Sequence, residues 1–218
     1  MKPRAIVLSG YGLNCETETA FAFERAGAAA DIVHINDIIA KKKRLADYQI
    51  MALPGGFSYG DDTGSGKAYA NKLKKYLSAD LKKFAQADTL IIGICNGFQI
   101  LTNTGLLPGA LLANDNARYT TRWVDVKVVS DSPWLIGIKT MMLPIAHGEG
   151  KYYSEKKVNV ALEYVNGEIS KHFSLPANPN GSQDNIAAIT GYNGRVLGMM
   201  PHPERAMFFT QLPHWSLF

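Results

Sequence analysis

The chain must turn sharply at Gly93-Ile94-Cys95-Asn96-Gly97, and no other feature restricts its fold as much. A dense apolar run, Thr89-Leu90-Ile91-Ile92, leads into the turn, and a helix-like segment, Phe98 to Asn103, leads out. Strand, tight Gly-x-Cys-x-Gly turn, helix is the layout of a nucleophile elbow. The flanking glycines permit both the tight turn and close approach by neighbouring backbone. A cysteine so placed sits at a helix N-terminus, where the dipole favours the thiolate. Taken alone, the pentapeptide suits an inert core cysteine as well as a nucleophile.

The far end of the chain tips that balance. Gly198-Met199-Met200-Pro201-His202-Pro203-Glu204-Arg205 offers an imidazole and a carboxylate two residues apart, directly after an apolar run. A cysteine nucleophile needs a base to take its proton, and the base needs an orienting group. His202 suits the first role and Glu204 the second. Their distance from Cys95 in sequence is normal for such a set. The flanking prolines stiffen the backbone that presents both side chains.

Around the elbow the pattern alternates. Ala5 to Leu8 reads as a buried strand, Ala30 to Ile35, Tyr48 to Leu53 and Leu90 to Ile94 as further strands, and Glu16 to Ala28 and Ala68 to Gln86 as helices. This alternation predicts an α/β fold with an open, mainly parallel sheet flanked by helices. The second half differs. Trp123 to Val129 alternates like an antiparallel strand, as do Lys139 to Ile145 and Val160 to Val165. Ile186 to Thr190 and Val196 to Met200 read as a hairpin turned at Tyr192-Asn193-Gly194. Phe208 to Phe218 is aromatic and reads as a short helix and tail. No linker or repeat divides the chain, so residues 1–218 are expected to form one domain. Gly10-Tyr11-Gly12, Pro54-Gly55-Gly56-Phe57 and the Cys95 turn all fall at strand carboxyl ends, where open α/β sheets bind ligands.

Composition excludes several classes. With 46% apolar and 19% charged residues the chain has no disorder signature. Its one basic cluster, Lys41-Lys42-Lys43-Arg44, lacks interleaved aromatics and reads as a solvated face, so no nucleic-acid partner is expected. No apolar run reaches the roughly 18 residues of a membrane span, and the N-terminus lacks a signal-peptide core. A cytoplasmic, reducing location is expected, with Cys15 and Cys95 as thiols. His147 and Glu149 lack further ligands at metal-site spacing, so no metal centre is expected. His34, His172 and His214 carry no motif and read as structural or exposed.

The chain resembles class I (triad) glutamine amidotransferase domains. Within that class it is similar to the glutaminase subunits of phosphoribosylformylglycinamidine synthases. The resemblance rests on PGGFSYGDD (54–62), GICNGFQIL (93–101), ARYTTRWV (117–124), LPIAHGEGKYY (143–153), NPNGSQDNIAAI (178–189) and GMMPHPER (198–205), in the family's order along most of the chain. Two segments depart from the pattern expected of small subunits: Asp62 to Ala68, and the turn Ser9 to Cys15. Neither touches Cys95, His202 or Glu204.

The resemblance implies a flavodoxin-like fold and hydrolysis of L-glutamine to glutamate and ammonia through a Cys95 thioester. His202 would serve as proton carrier and Glu204 as its orienter. It further implies an oxyanion hole from the backbone N–H of Asn96 with that of Gly56 or Phe57. Gln99, one helical turn after Cys95, would contact substrate, though a plain helix-packing hydrogen bond is the alternative. His147, Glu149, Arg118 and Arg122 would line the site or face a partner. That partner would be a large ATP-dependent synthetase subunit (PurL type), sometimes with a small third subunit (PurS type). ATP and Mg would bind the synthetase, since this chain has no Walker A pattern. Two other readings stand beside this one: a class I amidotransferase serving another acceptor, and a non-hydrolytic redox or binding module built on an elbow cysteine.

Overall fold

A computed structural model of the chain describes residues 2–61 and 64–212. Part of the Asp62 to Ala68 segment, His214 and the end of the aromatic tail lie outside the described residues. The apolar runs near the N-terminus and before the elbow become β1 (Arg4–Ser9), β2 (Ala29–His34), β3 (Ile50–Leu53) and β4 (Leu90–Ile94). They pair in parallel in the order β2-β1-β3-β4, and β11 (Val196–Met199) joins β4 in parallel. Strands covered on both faces need apolar side chains at nearly every position. Ile6, Val7, Met51, Ala52 and Ile91 accordingly have no exposed surface.

The sheet then changes direction. β10 (Ile186–Gly191) pairs antiparallel with β11, followed by β9 (Asn159–Val165), β6 (Thr120–Val128) and β7 (Thr140–His147). These are the strands whose alternating pattern predicted antiparallel pairing. The β10–β11 turn has Tyr192, Asn193 and Gly194 all at positive φ, as a right-twisted hairpin demands. A separate ribbon joins β5 (Ala110–Leu112) to β8 (Lys151–Tyr153), and neither strand is evident from pattern.

The helices are α1 (Glu16–Arg25), α2 (Ile35–Ile39), α3 (Lys67–Gln86), α4 (Asn96–Thr104) and α5 (Glu168–His172). In α3 the residues Tyr69, Leu73, Leu77, Leu81 and Phe84 form the buried stripe. Tyr76 falls off it and is exposed. α1 ends at Arg25, three residues earlier than its alanines suggest, and Phe21 points outward. α5 is anchored by buried Asp125, whose carboxylate accepts from the Ile169 and Ser170 backbone N–H groups. Asp125 lies mid-strand in an alternating run, so its partner was invisible in sequence. Among the described residues no helix is long and apolar enough to cross a membrane.

Because β1, β3, β4 and β11 run in parallel, their carboxyl ends open on one edge of the sheet. The loop after β1 and the loop after β3 zip together there. Asn14 and Cys15 N–H both reach the Gly55 carbonyl, and Phe57 N–H reaches that of Gly12. Gly56 (φ +151°) permits this contact, since a Cβ there would lie 2.5 Å from the Gly12 oxygen.

Candidate active site

Cys95 closes β4 with φ 51° and ψ −105°, a conformation rare for a residue with a side chain. Such backbone costs about 1–3 kcal/mol and persists only where its surroundings hold it. Here they do. The Cys95 N–H donates to the Met199 carbonyl of β11 at 2.7 Å, and its own carbonyl accepts from Phe98 and Gln99 as α4 begins. Gly97 lets α4 press against β3, because a Cβ at that position would lie 1.8 Å from the Leu53 oxygen. The thiol lies 3.7 Å from the Ala146 carbonyl and is buried, with 5% of the residue exposed. The tight turn predicted from the glycines is therefore present, with Cys95 at its apex.

His202 follows β11, so the parallel pairing of β11 with β4 brings the imidazole to the elbow. Its N–H donates to the Pro144 carbonyl at 2.9 Å. Pro203 then starts a short 3₁₀ turn that folds Glu204 back beneath the ring. His202 Nδ1 lies 2.6 Å from Glu204 Oε1, and both residues are buried. The carboxylate fixes the proton on Nδ1 and leaves Nε2 as the basic nitrogen. Nε2 has no hydrogen-bond partner among the described residues. Burial alone would push the His202 pKa down. The Cys95 charge, the nearby Cys15 and Cys95 sulfurs and Glu204 outweigh burial and hold it well above the ordinary histidine range. A histidine so placed carries the thiol proton readily.

Of the expected oxyanion donors, Phe57 is excluded in this conformation, because its N–H is committed to the Gly12 carbonyl at 2.9 Å. The loop zipper consumes that donor. The N–H groups of Gly56 and Asn96 find no acceptor among the described residues. Asn96 also ties the two loops together, since its Oδ1 accepts from Ser58 N–H.

Gln99 is buried, one turn along α4, and both ends of its amide are engaged. Nε2 donates to the Glu149 carbonyl at 2.6 Å, and Oε1 accepts from Asn96 Nδ2 at 2.8 Å. It thus joins the elbow helix to the His147-Gly148-Glu149-Gly150 segment. The Glu149 carboxylate accepts from Ser65 N–H at 3.2 Å. His147 is 2% exposed and clamped, with Nδ1 on Asn114 Oδ1 (3.1 Å) and Nε2 facing Asn180 Nδ2 (3.5 Å). Burial, aided by the charge of His202, pushes its pKa down to about 4, so it is neutral. His147 therefore supports the loop and cannot touch a partner directly. Asn114 and Asn180 went unnoticed in sequence, although Asn180 lies within the Asn-Pro-Asn-Gly-Ser run. An asparagine clamp reveals itself only through its distant partners.

Arg118 is exposed, whereas Arg122 is half-buried and donates to the Pro176 carbonyl. Tyr119 stands between them in sequence. Its ring centroid lies 6.0 Å from that of Phe57, and both rings are exposed. Burial and the Cys95 charge raise the Tyr119 hydroxyl pKa. His34 caps α2, accepting from Asn36 N–H, and His172 packs edge-on against Phe173. The structure also brings Cys15 to His202 and Glu204. Its sulfur accepts from Arg205 Nη2 at 3.0 Å, and one ligand atom each from Cys15, His202 and Glu204 lie within 4.8 Å of one another. The position of Cys15, just past a Gly-rich turn at the carboxyl end of β1, was the available signal.

A strained cysteine at a strand–helix turn, a buried histidine–carboxylate pair and two N–H groups without acceptors among the described residues lie together at one edge of the sheet, and these are the kinds of group that thiol acyl transfer requires. The CobB/CobQ-like glutamine amidotransferase domain family matches residues 2–217. The chain belongs to this family. Among its relatives is the phosphoribosylformylglycinamidine synthase subunit PurQ of Methanococcus maripaludis strain C5, 50% identical over 238 residues, spanning 100% of this chain and 88% of the relative. The protein of the same name from Dehalococcoides mccartyi is 41% identical, over 98% of this chain and 89% of the relative. Among solved structures, a chain of PurLQS from Thermotoga maritima superposes with a TM-score of 0.83 at 36% identity, covering 100% of this chain and 98% of that one.

Proposed function

We propose that this chain is the glutaminase subunit of a phosphoribosylformylglycinamidine synthase. It hydrolyses L-glutamine and passes ammonia to an ATP-dependent synthetase subunit of the PurL type. There the ammonia converts formylglycinamide ribonucleotide to the amidine, in purine biosynthesis. The carrying observation is the buried His202–Glu204 pair beside the strained Cys95, in a chain 50% identical to a PurQ subunit. A small third subunit of the PurS type, as in the PurLQS assembly, belongs to the same proposal. So does a cytoplasmic location, in keeping with two free thiols. One contiguous core supports a single-domain organisation.

On this reading the reaction runs as follows from the residues at the elbow. His202 Nε2 takes the Cys95 proton, and the thiolate attacks the side-chain amide carbon of glutamine. The oxyanion is met by the Gly56 and Asn96 N–H groups. The tetrahedral intermediate collapses as His202 returns the proton to the departing ammonia. Water, deprotonated by His202, then cleaves the γ-glutamyl thioester and frees glutamate. Glu204 keeps one tautomer of His202 throughout. Gln99 fixes α4 against the 147–150 segment, and its remaining amide capacity faces the substrate. The exposed Phe57–Tyr119 pair and Arg118 form the synthetase-facing rim, with Arg122 and Glu149 bracing the segments behind it.

The test is Cys95→Ala in the complete synthetase complex. Glutamine-dependent amidine synthesis is abolished while synthesis from ammonium salt continues. Persistence of the glutamine-dependent reaction would remove Cys95 from the mechanism.

A further inference from the structure

The turn Ser9 to Cys15 departs from the pattern of small subunits, and the glutaminase chemistry makes no use of its Tyr11. That residue nevertheless heads a chain of contacts ending at the oxyanion donor of the loop after β3. The Gly55 carbonyl accepts from the Asn14 and Cys15 N–H groups of the loop after β1, both at 3.2 Å. The Gly55–Gly56 peptide is trans, so its carbonyl and its N–H point in opposite directions. Holding the carbonyl on the β1 loop therefore aims the Gly56 N–H away from that loop, where no described residue accepts it. The direction of this donor depends on where the β1 loop sits.

Two helices anchor that loop. Tyr69 on α3 donates its hydroxyl to the Ser9 carbonyl at 3.2 Å, and one turn further along α3 the Lys72 Nζ donates to the Tyr11 hydroxyl at 2.9 Å. The Asn36 amide of α2 meets the same hydroxyl, with its Nδ2 at 2.9 Å. The Tyr11 ring stacks on Tyr59, with centroids 4.9 Å and planes 9° apart, and the Tyr59 N–H donates to the Tyr11 carbonyl at 2.7 Å. Both tyrosines hold positive φ, 55° and 56°. A bulky residue in that region is strained and persists only where its surroundings fix it. The stacked pair ties the loop after β1 to the loop after β3, and Lys72 holds the pair to α3.

We propose that Lys72 and Tyr11 are positioning residues for glutamine hydrolysis, fixing the Gly55–Gly56 peptide so that the Gly56 N–H is in place before the oxyanion forms. They act through the backbone of the zipped loops and not on the reacting atoms. The inference rests on the glutaminase reading. A donor that meets the oxyanion works in the transition state, so its misplacement lowers kcat and leaves KM unchanged. Deleting such a donor costs about 10²- to 10³-fold, and displacing one while Asn96 remains costs less, about tenfold.

The experiment measures glutamine hydrolysis in the complete synthetase complex for Tyr11→Phe, Lys72→Met and the double variant. Lys74→Met, which removes an exposed charge from the same helix, is the control. Each single variant loses about tenfold in kcat while KM and the thermal melt stay at wild-type values. The double variant loses no more than either single one, because both residues act through one contact. Alkylation of Cys95 by iodoacetamide, followed by mass spectrometry, keeps its wild-type rate, since displacement at that carbon forms no oxyanion. A merely structural role would instead lower the melt, raise KM and alter the alkylation rate together. Unchanged kcat in both single variants overturns the inference, as do losses that multiply in the double variant or an equal loss in Lys74→Met. A wild-type complex that never hydrolyses glutamine would defeat the glutaminase reading and this inference with it, whereas normal turnover in wild type and variants alike defeats this inference alone.

Discussion

Gly97→Ala sets two effects of known sign against each other. Gly97 lies in the first turn of α4, where alanine is the better helix former by about 1 kcal/mol. Propensity alone therefore predicts a more stable protein. Packing predicts the reverse. The new methyl would lie 1.8 Å from the Leu53 carbonyl oxygen and 3.0 Å from the Leu53 Cβ. Restoring ordinary contact needs a separation of roughly 1.5 Å or more. The obstacle is backbone, not the tip of a flexible side chain. Overpacking of this kind costs about 1–3 kcal/mol and sometimes more. The upper end applies here, so the net loss is about 2 kcal/mol. For a chain of this size that lowers the melting temperature by roughly 4–8 °C. Activity should suffer further. Leu53 leads directly into Gly55 and Gly56, and Gly97 follows Cys95 and Asn96. Moving one against the other separates nucleophile from oxyanion donors, and a shift of about 1 Å costs on the order of 10²-fold in rate. Thermal melts and glutamine hydrolysis in the complex read the two effects. Gly105→Ala is the control, since a Cβ there meets nothing within 4 Å and only its φ of +79° is strained. A Gly97→Ala protein that melts within about 1 °C of wild type and keeps full activity would refute the reasoning.

Three further outcomes are expected. His147 is neutral when folded, with its pKa at about 4. The unfolded chain binds its proton near pH 6.5, so its contribution to stability is complete above that pH. It is lost as pH falls toward 4, by about 3 kcal/mol in all. His202, held high, contributes with the opposite sign, so the check is the difference between wild type and His147→Gln in urea unfolding across pH 4.5–7, where the variant declines less steeply. Asn114→Ala removes a buried amide that holds the Arg118 and His147 carbonyls, the Gly150 N–H and the His147 ring. It destabilises by about 2–4 kcal/mol, visible as a lower urea midpoint with unchanged slope. Glu204→Gln keeps the shape but not the charge beside Nδ1, and glutamine turnover falls by roughly 10³- to 10⁴-fold while ammonium-driven synthesis in the complex is retained.

Features encoded locally were legible in the sequence. β4, the Cys95 turn and α4 follow from an apolar run, flanking glycines and helical spacing, all inside one short stretch. The antiparallel half was readable because alternation marks a sheet covered differently on its two faces. What escaped depended on partners far along the chain. The Arg205–Cys15 contact spans 190 residues. The clamp on His147 draws on Asn114 and Asn180, each 33 residues away. Asp125 lies in an alternating strand run, and the donors to its carboxylate come from α5, 44 and 45 residues away. Phe57 was a reasonable oxyanion donor from its place after Gly56. It lost that role to Gly12, whose carbonyl the zipped loops bring to its N–H.

The central claim is that Cys95 is the glutamine-directed nucleophile, with His202 and Glu204 behind it. Mass spectrometry after treatment with a glutamine-mimicking diazoketone tests it most directly, on the chain alone and with its synthetase partner. The account predicts one covalent adduct, on Cys95 and not on Cys15, blocked by excess glutamine. An adduct on Cys15, or none on Cys95 with the partner present, would contradict it.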